Sequence, residues 1–138
     1  MALVLDTHAV VWYLSFSDQL SATARAVIEG AEHNADDIFV SSISLVELIY
    51  LAERNRIPME ALQRLQDALN DPAGSMAVAP LDAAVAAAVQ KIPRDLVPDM
   101  PDRIIAATAV KLGAELVSRD RRLHTAGALK ASGIRIVW

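Results

Sequence analysis

Four acidic side chains in this sequence have both the type and the placement needed for metal chemistry. They are Asp6, Glu47, Asp102 and Asp120, and each opens or interrupts an apolar segment. Carboxylates that converge in a cleft repel one another, so they stay ionised only where a cation lies among them. Because carboxylate oxygens suit hard divalent metals, we interpret the four residues as a metal site. Such a site makes metal-assisted hydrolysis of a phosphoester the leading candidate reaction.

The apolar pattern predicts short buried strands that alternate with helices. The predicted strands are Leu3–Leu5, Ile38–Val40, Met76–Val78, Glu115–Ser118 and Ile134–Trp138. The predicted helices span about 7–14, 21–28, 43–55, 58–70, 82–90 and 101–112, with Gly113 ending the last one. This alternation implies a parallel sheet covered by helices on both faces. We expect residues 1–138 to form one domain, because this length is typical of single domains.

The predicted fold brings the four acids to one edge of the sheet. In parallel sheets, sites form beyond the carboxyl ends of the strands. Asp6 and Asp120 directly follow strands. Asp102 opens a helix, and Glu47 lies in the first two turns of the helix after the second strand. The helix N-termini at this edge carry partial positive charge, which helps to hold anionic groups there.

Three of the acids also have ordinary structural explanations. Asp6 and Asp102 are placed to cap helices, and Asp120 is placed to form a turn. Asp99 is interpreted as part of the proline-rich connection before the last long helix, with a position near the site, three residues before Asp102, as the alternative. Glu47 is harder to explain, because its neighbours are apolar and an unpaired buried carboxylate is strongly unfavourable. The four matching placements together support the metal site more strongly than any single residue does.

Other polar side chains receive structural interpretations. The hydroxyls of Thr7 and Ser118 lie beside two of the acids, where capping and strand-end hydrogen bonds explain them and ligand orientation is an alternative. His8, His33 and His124 lack ligand spacing and are interpreted as structural or exposed. The sequence contains neither a Walker loop nor a dinucleotide-binding glycine fingerprint.

The amino-acid composition excludes some kinds of site and argues against a membrane protein. Hydrophobic residues make up 54% of the chain and aromatic residues 4%, and the absence of cysteine excludes thiolate metal sites and disulfides. No basic leader is present, and the longest apolar stretch, Ile38 to Ala52, is too short and too polar to span a membrane. We therefore expect a cytoplasmic protein without membrane contact, whose surplus apolar surface lies in an interface.

Charge is distributed unevenly along the chain. The net charge of −4 argues against simple electrostatic adhesion to nucleic acid. Residues 1–90 carry a net charge of −8, whereas residues 91–138 carry +4. Because the planar guanidinium suits phosphate, the arginines near the late acids are candidates to position a nucleic-acid backbone, with solvated ion pairs as the alternative. They are Arg94, Arg103, Arg119, Arg121 and Arg122.

These motifs resemble those of the PIN-domain ribonucleases and, within them, the VapC-type toxins of bacterial toxin–antitoxin pairs. The matching segments are Leu5–His8, Ser42–Leu48, Asp102–Ala109 and Leu116–Asp120. The resemblance covers nearly the whole chain and implies a three-layer α/β/α PIN-like fold with a five-stranded parallel sheet. It also implies Mg²⁺ or Mn²⁺ as the cofactor, a homodimer, and a cognate antitoxin that silences the protein.

The reaction expected from this resemblance is metal-dependent hydrolysis of RNA by a toxin that inhibits translation and growth. Asp6, Glu47 and Asp102 are the expected core ligands, and Asp120 completes the set directly or through water. Few direct ligands are needed, because Mg²⁺ keeps several waters. With six aromatic residues in the chain, base stacking is expected to be limited, so target choice would depend on RNA shape.

The expected antitoxin surface is the helical region from Ile43 to Leu69, where Tyr50 and its apolar neighbours are candidates to receive an amphipathic segment. The alternative is that most of these side chains belong to the core.

Three rival functions remain open. An aspartyl phosphatase also has an Asp after its first strand, but it usually has a second Asp two positions later, where this chain has His8. A receiver-like regulatory module would explain Asp6 but would leave Glu47 and Asp102 without a role. An interaction protein with a degenerate site is disfavoured by the intact set of acids.

Overall fold

The computed structural model describes residues 1–125 and 133–138. Its strands are β1 (Leu3–Leu5), β2 (Ile38–Ser41), β3 (Met76–Ala79), β4 (Glu115–Val117) and β5 (Ile136–Val137). Its helices over these residues are α1 (Thr7–Leu14), α2 (Ala22–His33), α3 (Ser42–Glu53), α4 (Met59–Asn70), α5 (Ala83–Ala88), α6 (Met100–Leu112) and α7 (Arg121–Thr125). A 3-10 turn, Val89–Lys91, follows α5.

The strands form one parallel sheet in the order β3-β2-β1-β4-β5. The central strand is β1, where Leu5 pairs with Val40 of β2 and with Val117 of β4. The chain first adds strands on one side of β1 and then returns to add β4 and β5 on the other. Doubly wound sheets form a crevice where this direction changes, beyond the carboxyl ends of the strands. That crevice lies between β1 and β4.

Helices cover both faces of the sheet. Consecutive side chains of a strand point to opposite faces. Accordingly, Leu3 and Leu5 pack in one core with Ile28 of α2 and Leu48 of α3, while Val4 packs in a second core. That second core is built largely by α6, which contributes the buried segment Ile104 to Ala107. The predicted three-layer α/β/α fold with a five-stranded parallel sheet is confirmed.

Several predicted bounds differ from the observed ones. Helix α2 continues to His33 rather than ending near residue 28, because Ala31 extends its buried stripe. Strand β5 is shorter than predicted, since only Ile136 and Val137 pair with β4. Helix α7 was not predicted, because its sequence buries only Leu123 and shows no apolar period. The C-terminal glycine of α6 is confirmed, with Gly113 in the left-handed region at φ 62°.

Over residues 1–125 and 133–138, none of the helices combines the length and the apolar character that a membrane crossing requires.

Candidate active site

The start of α1 fixes Asp6 beyond the central strand. Its backbone N–H donates to the Val117 carbonyl at 3.1 Å, so the residue is bound to the end of β4 as well as to β1. Its carboxylate caps α1 by accepting the Ala9 N–H at 2.8 Å. The predicted cap is therefore confirmed. One carboxylate oxygen serves the helix, and the side chain still borders the crevice.

Glu47 reaches the same region from the second turn of α3. The buried Thr7 hydroxyl lies 2.7 Å from Glu47 Oε1 and 2.9 Å from the Ser44 hydroxyl. A hydroxyl has a single proton, so Thr7 donates to the carboxylate and accepts from Ser44. This short relay orients Glu47 and connects the starts of α1 and α3. It supports the ligand-orienting alternative for Thr7.

The start of α6 differs from the expected arrangement. The cap is Asp99, whose carboxylate accepts the Asp102 N–H at 3.2 Å. The expectation that Asp102 caps this helix is wrong, because Met100 and Pro101 already belong to the first turn and Asp102 is its third residue. The interpretation of Asp99 as a simple connection residue is wrong for the same reason. Asp102 therefore lies on the helix with its carboxyl group available to the crevice.

Asp120 lies in the turn after β4, as expected. Its N–H donates to the Ser118 hydroxyl at 3.0 Å, and its Oδ1 accepts the Arg122 N–H at 2.9 Å. The buried Ser118 hydroxyl also favours the ionised form of Asp6, so one hydroxyl interacts with both acids. Asp120 also lies close enough to Asp102 for its negative charge to raise the pKa of that carboxyl group.

The structure has two neighbouring cavities at this edge of the sheet, and each of the four predicted acids borders at least one of them. The larger, of about 470 Å³, is bordered by Asp6, Asp102 and Asp120 together with His8, Trp12, Gln19 and Arg119. The smaller, of about 210 Å³, is bordered by Asp6, Thr7, His8, Glu47, Asp99 and Asp102. Because Asp6, His8 and Asp102 border both, the two cavities form one continuous crevice.

The carboxyl groups in this crevice are held less acidic than usual. Burial raises the pKa of Asp6, against the opposing effect of its hydrogen bonds with Ser118 and Ala9. Burial likewise raises the pKa of Glu47, opposed by the Thr7 hydrogen bond and reinforced by repulsion from Asp99. For Asp102, burial, repulsion from Asp99 and the Asp120 hydrogen bond together raise the pKa to about 7. Burial is the largest cause in all three cases and neighbouring carboxylates add to it, so a cation among these groups would favour their ionised forms.

The donor set fits a hard divalent metal in its chemistry. Over the residues that the structure describes, no three His, Asp or Glu side chains already enclose a position for a metal ion. Repulsion from Asp120 favours the protonated form of Asp102, and protonation reduces that repulsion. A divalent cation relieves the same repulsion more fully, and Mg²⁺ needs few direct protein ligands because it retains water.

Sequence reasoning missed two side chains of the crevice. His8 was interpreted as structural or exposed, yet it borders both cavities. Trp12 lies one turn after His8 on the same helix, and this spacing was the available signal. The alternative that Asp99 lies near the site is confirmed, because Asp99 borders the smaller cavity in addition to capping α6.

Arg103, one of the arginines predicted to bind phosphate, instead donates to backbone carbonyls. The Arg103 guanidinium donates to the carbonyls of Ile92 and Val89 at 2.8–3.1 Å, which fastens the turn after α5 to α6. Its contribution is therefore structural. Arg119, by contrast, is exposed at the larger cavity, and Arg121 and Arg122 are exposed beside it.

Comparisons with known proteins agree with this arrangement. The model of the PIN domain matches residues 3–129. Ribonuclease VapC22 of Mycobacterium tuberculosis is 36% identical over 124 residues, covering 88% of this chain and 89% of that protein.

Two solved structures show the same fold. VapBC2 from Rickettsia felis, bound to a promoter DNA fragment, superposes with a TM-score of 0.71 at 18% identity, covering 99% of this chain and 97% of that one. A toxin–antitoxin complex from Klebsiella pneumoniae gives 0.64 at 19% identity, with 91% and 93% covered. Because the PIN domain model matches almost the whole chain and a curated relative exceeds a third identity over most of it, this protein belongs to the PIN domain family.

Proposed function

We propose that this protein is a metal-dependent ribonuclease that hydrolyses RNA phosphodiester bonds and acts as the toxin of a toxin–antitoxin pair. The observation that carries the proposal is the convergence of Asp6, Glu47, Asp102 and Asp120 on one crevice. None of these carboxylates forms an ion pair with a Lys or Arg among the described residues. Unpaired, partly buried carboxylates do not stabilise a fold, whereas a bound cation would compensate their charge. Metal binding therefore explains this arrangement better than fold stability does. The identity to a ribonuclease supplies the substrate class.

The roles of the four acids follow from their placement. Asp6, Glu47 and Asp102 would hold Mg²⁺ or Mn²⁺, with Asp120 completing the set directly or through water. The metal, when bound, supplies positive charge that polarises the scissile phosphate and makes water more acidic. Neighbouring side chains of the protein orient the proposed ligands. Thr7 directs Glu47, and Ser118 directs Asp6.

The basic side chains beside the crevice would position the RNA backbone. Arg119, Arg121 and Arg122 follow β4 directly and are exposed. They border a groove of about 820 Å³ that also includes Asp120. Guanidinium groups bind phosphate in a bidentate manner, which places a backbone phosphate next to the acids.

The proposed partners are a cognate antitoxin and a second copy of the chain. Val46, Ile49 and Tyr50 project from α3 with exposed fractions of 48%, 40% and 56%, and Met59 of α4 with 57%. Contiguous exposed apolar side chains of this kind are normally covered by a partner. An amphipathic antitoxin segment over α3 and α4 would cover them. The toxin–antitoxin assembly of a protein with the same fold supports this part of the proposal.

The test is RNA cleavage by the purified protein with Mg²⁺ or Mn²⁺, repeated with chelator and with Asp6→Asn. Asp67→Asn is the matched control, because Asp67 is an exposed acid on α4 away from the crevice. We expect cleavage by the wild type and the control, and none with chelator or Asp6→Asn. Undiminished cleavage by Asp6→Asn contradicts the proposal. Hydrolysis of a small phosphate monoester without action on RNA favours the phosphatase instead.

A further inference from the structure

Aromatic and basic side chains border the crevice together with the acids. Trp12 borders the larger cavity and Trp138 borders the adjoining groove, and the two tryptophans touch although they are far apart in the sequence. The Trp12 and Trp138 rings are 5.8 Å apart between centroids and meet edge to face. His8 lies 5.4 Å from Trp12 on the same helix. The Arg119 guanidinium lies over the Trp12 ring at 5.6 Å from its centroid.

These contacts fix the plane of the Trp12 indole and leave part of it open. Trp12 is partly buried, and it packs on the same core as Leu5 and Val10. Trp138, which follows β5, presses against it in the edge-to-face geometry that aromatic pairs favour. The Arg119 side chain over this ring is exposed. A cationic group therefore already lies over the indole, in a cavity that the acids also border.

We propose that Trp12 is a stacking platform for one unpaired nucleobase of the RNA strand, next to the phosphate held at the acids. This inference rests on the proposed ribonuclease function and names the group that the substrate places in the larger cavity. An incoming base displaces the Arg119 guanidinium from the ring. The guanidinium, at the rim of the same cavity, then pairs with the adjacent phosphate.

The platform also determines which RNA structures are cleaved. A base inside a duplex is already stacked and cannot reach the indole, so the strand must be single at this nucleotide. Every base has a π face, so stacking alone imposes little sequence preference. The low aromatic content of the chain is compatible with one such platform, whereas stacking along several bases is not supported.

A purely structural role for Trp12 has a different experimental signature. If Trp12 only supports α1 and Trp138, its loss weakens cleavage of all substrates alike. If it stacks on a base, its loss matters only when that base is present. A double-mutant cycle between the side chain and the base separates the two cases.

The experiment uses a short RNA with one cleaved bond and variants with an abasic nucleotide at each position flanking that bond. We expect Trp12→Ala to raise KM for intact RNA by about tenfold with little change in kcat. For the variant that lacks the stacked base, wild type and Trp12→Ala become equal. Trp12→Phe restores most of the loss. Phe16→Ala, which removes an exposed aromatic side chain just after α1, leaves KM unchanged.

Arg119 gives an independent readout. Arg119→Gln lowers the slope of binding affinity against salt by about 0.7, the value for one phosphate contact on a single strand, whereas Trp12→Ala leaves the slope unchanged. Equal losses on intact and all abasic RNAs, or no loss at all, overturn the platform while the ribonuclease function stands. Failure of the wild type to cleave intact RNA with metal present overturns the ribonuclease function and this inference with it.

Discussion

Two helices deliver acids to the crevice in different ways. At the start of α1, Asp6 both caps the helix and borders the site. At the start of α6, these duties are divided, because Asp99 is the cap and Asp102 borders the larger cavity. Burial raises the pKa of Asp6, but hydrogen bonds with Ser118 and the Ala9 N–H oppose that rise. For Asp102, burial and its acidic neighbours all favour the protonated form.

The two helices therefore differ in whether the acid that borders the crevice also stabilises the helix as its cap. Asp6 contributes to both, so its replacement has mixed effects. Asp102 borders the site, but its negative charge lowers the stability of the fold, because burial and acidic neighbours disfavour that charge. A carboxylate of that kind is expected to be the stronger determinant of metal binding, because the cation relieves the greater repulsion.

The largest expected effect is on RNA cleavage. Asp6→Asn and Asp102→Asn each remove a proposed ligand charge, and we expect either to lower kcat by more than the roughly 10- to 100-fold that loss of an outer-shell partner causes. Asp99→Asn should fall below that range, because Asn still caps the helix. Single-turnover cleavage at saturating Mn²⁺ measures all three. An Asp99→Asn defect as large as that of Asp102→Asn would show that α6 does not divide the two duties.

A smaller effect is expected at Ser118, whose hydroxyl connects Asp6 with Asp120. Ser118→Ala removes this connection, and we expect Mn²⁺ affinity to fall by about tenfold. Calorimetric titration measures the affinity, and Thr108→Ala is a matched control, since Thr108 is a buried hydroxyl that bonds only within α6. An unchanged affinity would mean that metal binding by Asp6 and Asp120 does not depend on the Ser118 hydroxyl.

The division of duties at α6 was not readable from the sequence. Asp99 and Asp102 both lie beside prolines, and either one is an acceptable cap. The choice depends on where the backbone leaves the extended conformation, and Asp99 remains extended at φ −73° and ψ 127°. At α1 there was no such competition, because Asp6 is the only acid between β1 and the helix. The Asp6 cap was therefore predicted correctly.

The carboxylate side of the crevice was easier to predict than the aromatic side. Acids at strand ends of a parallel sheet converge by topology, so the order of elements was enough to group the predicted residues. Trp12 and Trp138 meet only because β5 lies at the edge beside β4 and its following residue folds back over α1. Local patterns do not report such a contact. Arg103 was misassigned for a related reason, since the carbonyls it binds come from a separate turn.

Removal of each cap should affect stability to a similar degree. Asp6→Ala and Asp99→Ala each leave the first turn of a helix without its acceptor, which costs about 1 kcal/mol and lowers Tm by about 4 °C. The corresponding Asn variants should lose only a few tenths of a kcal/mol. Thermal unfolding of the metal-free protein by circular dichroism measures the four variants. A stable Asp99→Ala variant would contradict the assignment of the cap.

The smallest expected effect is a gain in stability, whereas removal of a cap causes a loss. The pKa of Asp102 rises from 3.8 to about 7 on folding, so the folded state binds a proton that the unfolded state releases. Stability is therefore lost as pH rises from about 4 to 7, and the cost is fully present above pH 7. Asp102→Asn removes that cost. Because the side chain is only half-buried, solvent screening limits the gain to less than about 1 kcal/mol, which corresponds to less than about 4 °C in Tm.

We expect this gain in the metal-free protein at pH 8 and expect it to shrink at pH 5, where Asp102 of the folded wild type is already protonated. Saturating Mn²⁺ should reverse the order, because only the wild type retains the full ligand set and gains stability by binding. Asp82→Asn, at the cap of α5, is the control, since its carboxylate lies on an exposed helix start outside the crevice. If Asp102→Asn instead lowers Tm without metal at pH 8, Asp102 stabilises the fold as Asp6 does. The contrast between the two helix starts would then be wrong.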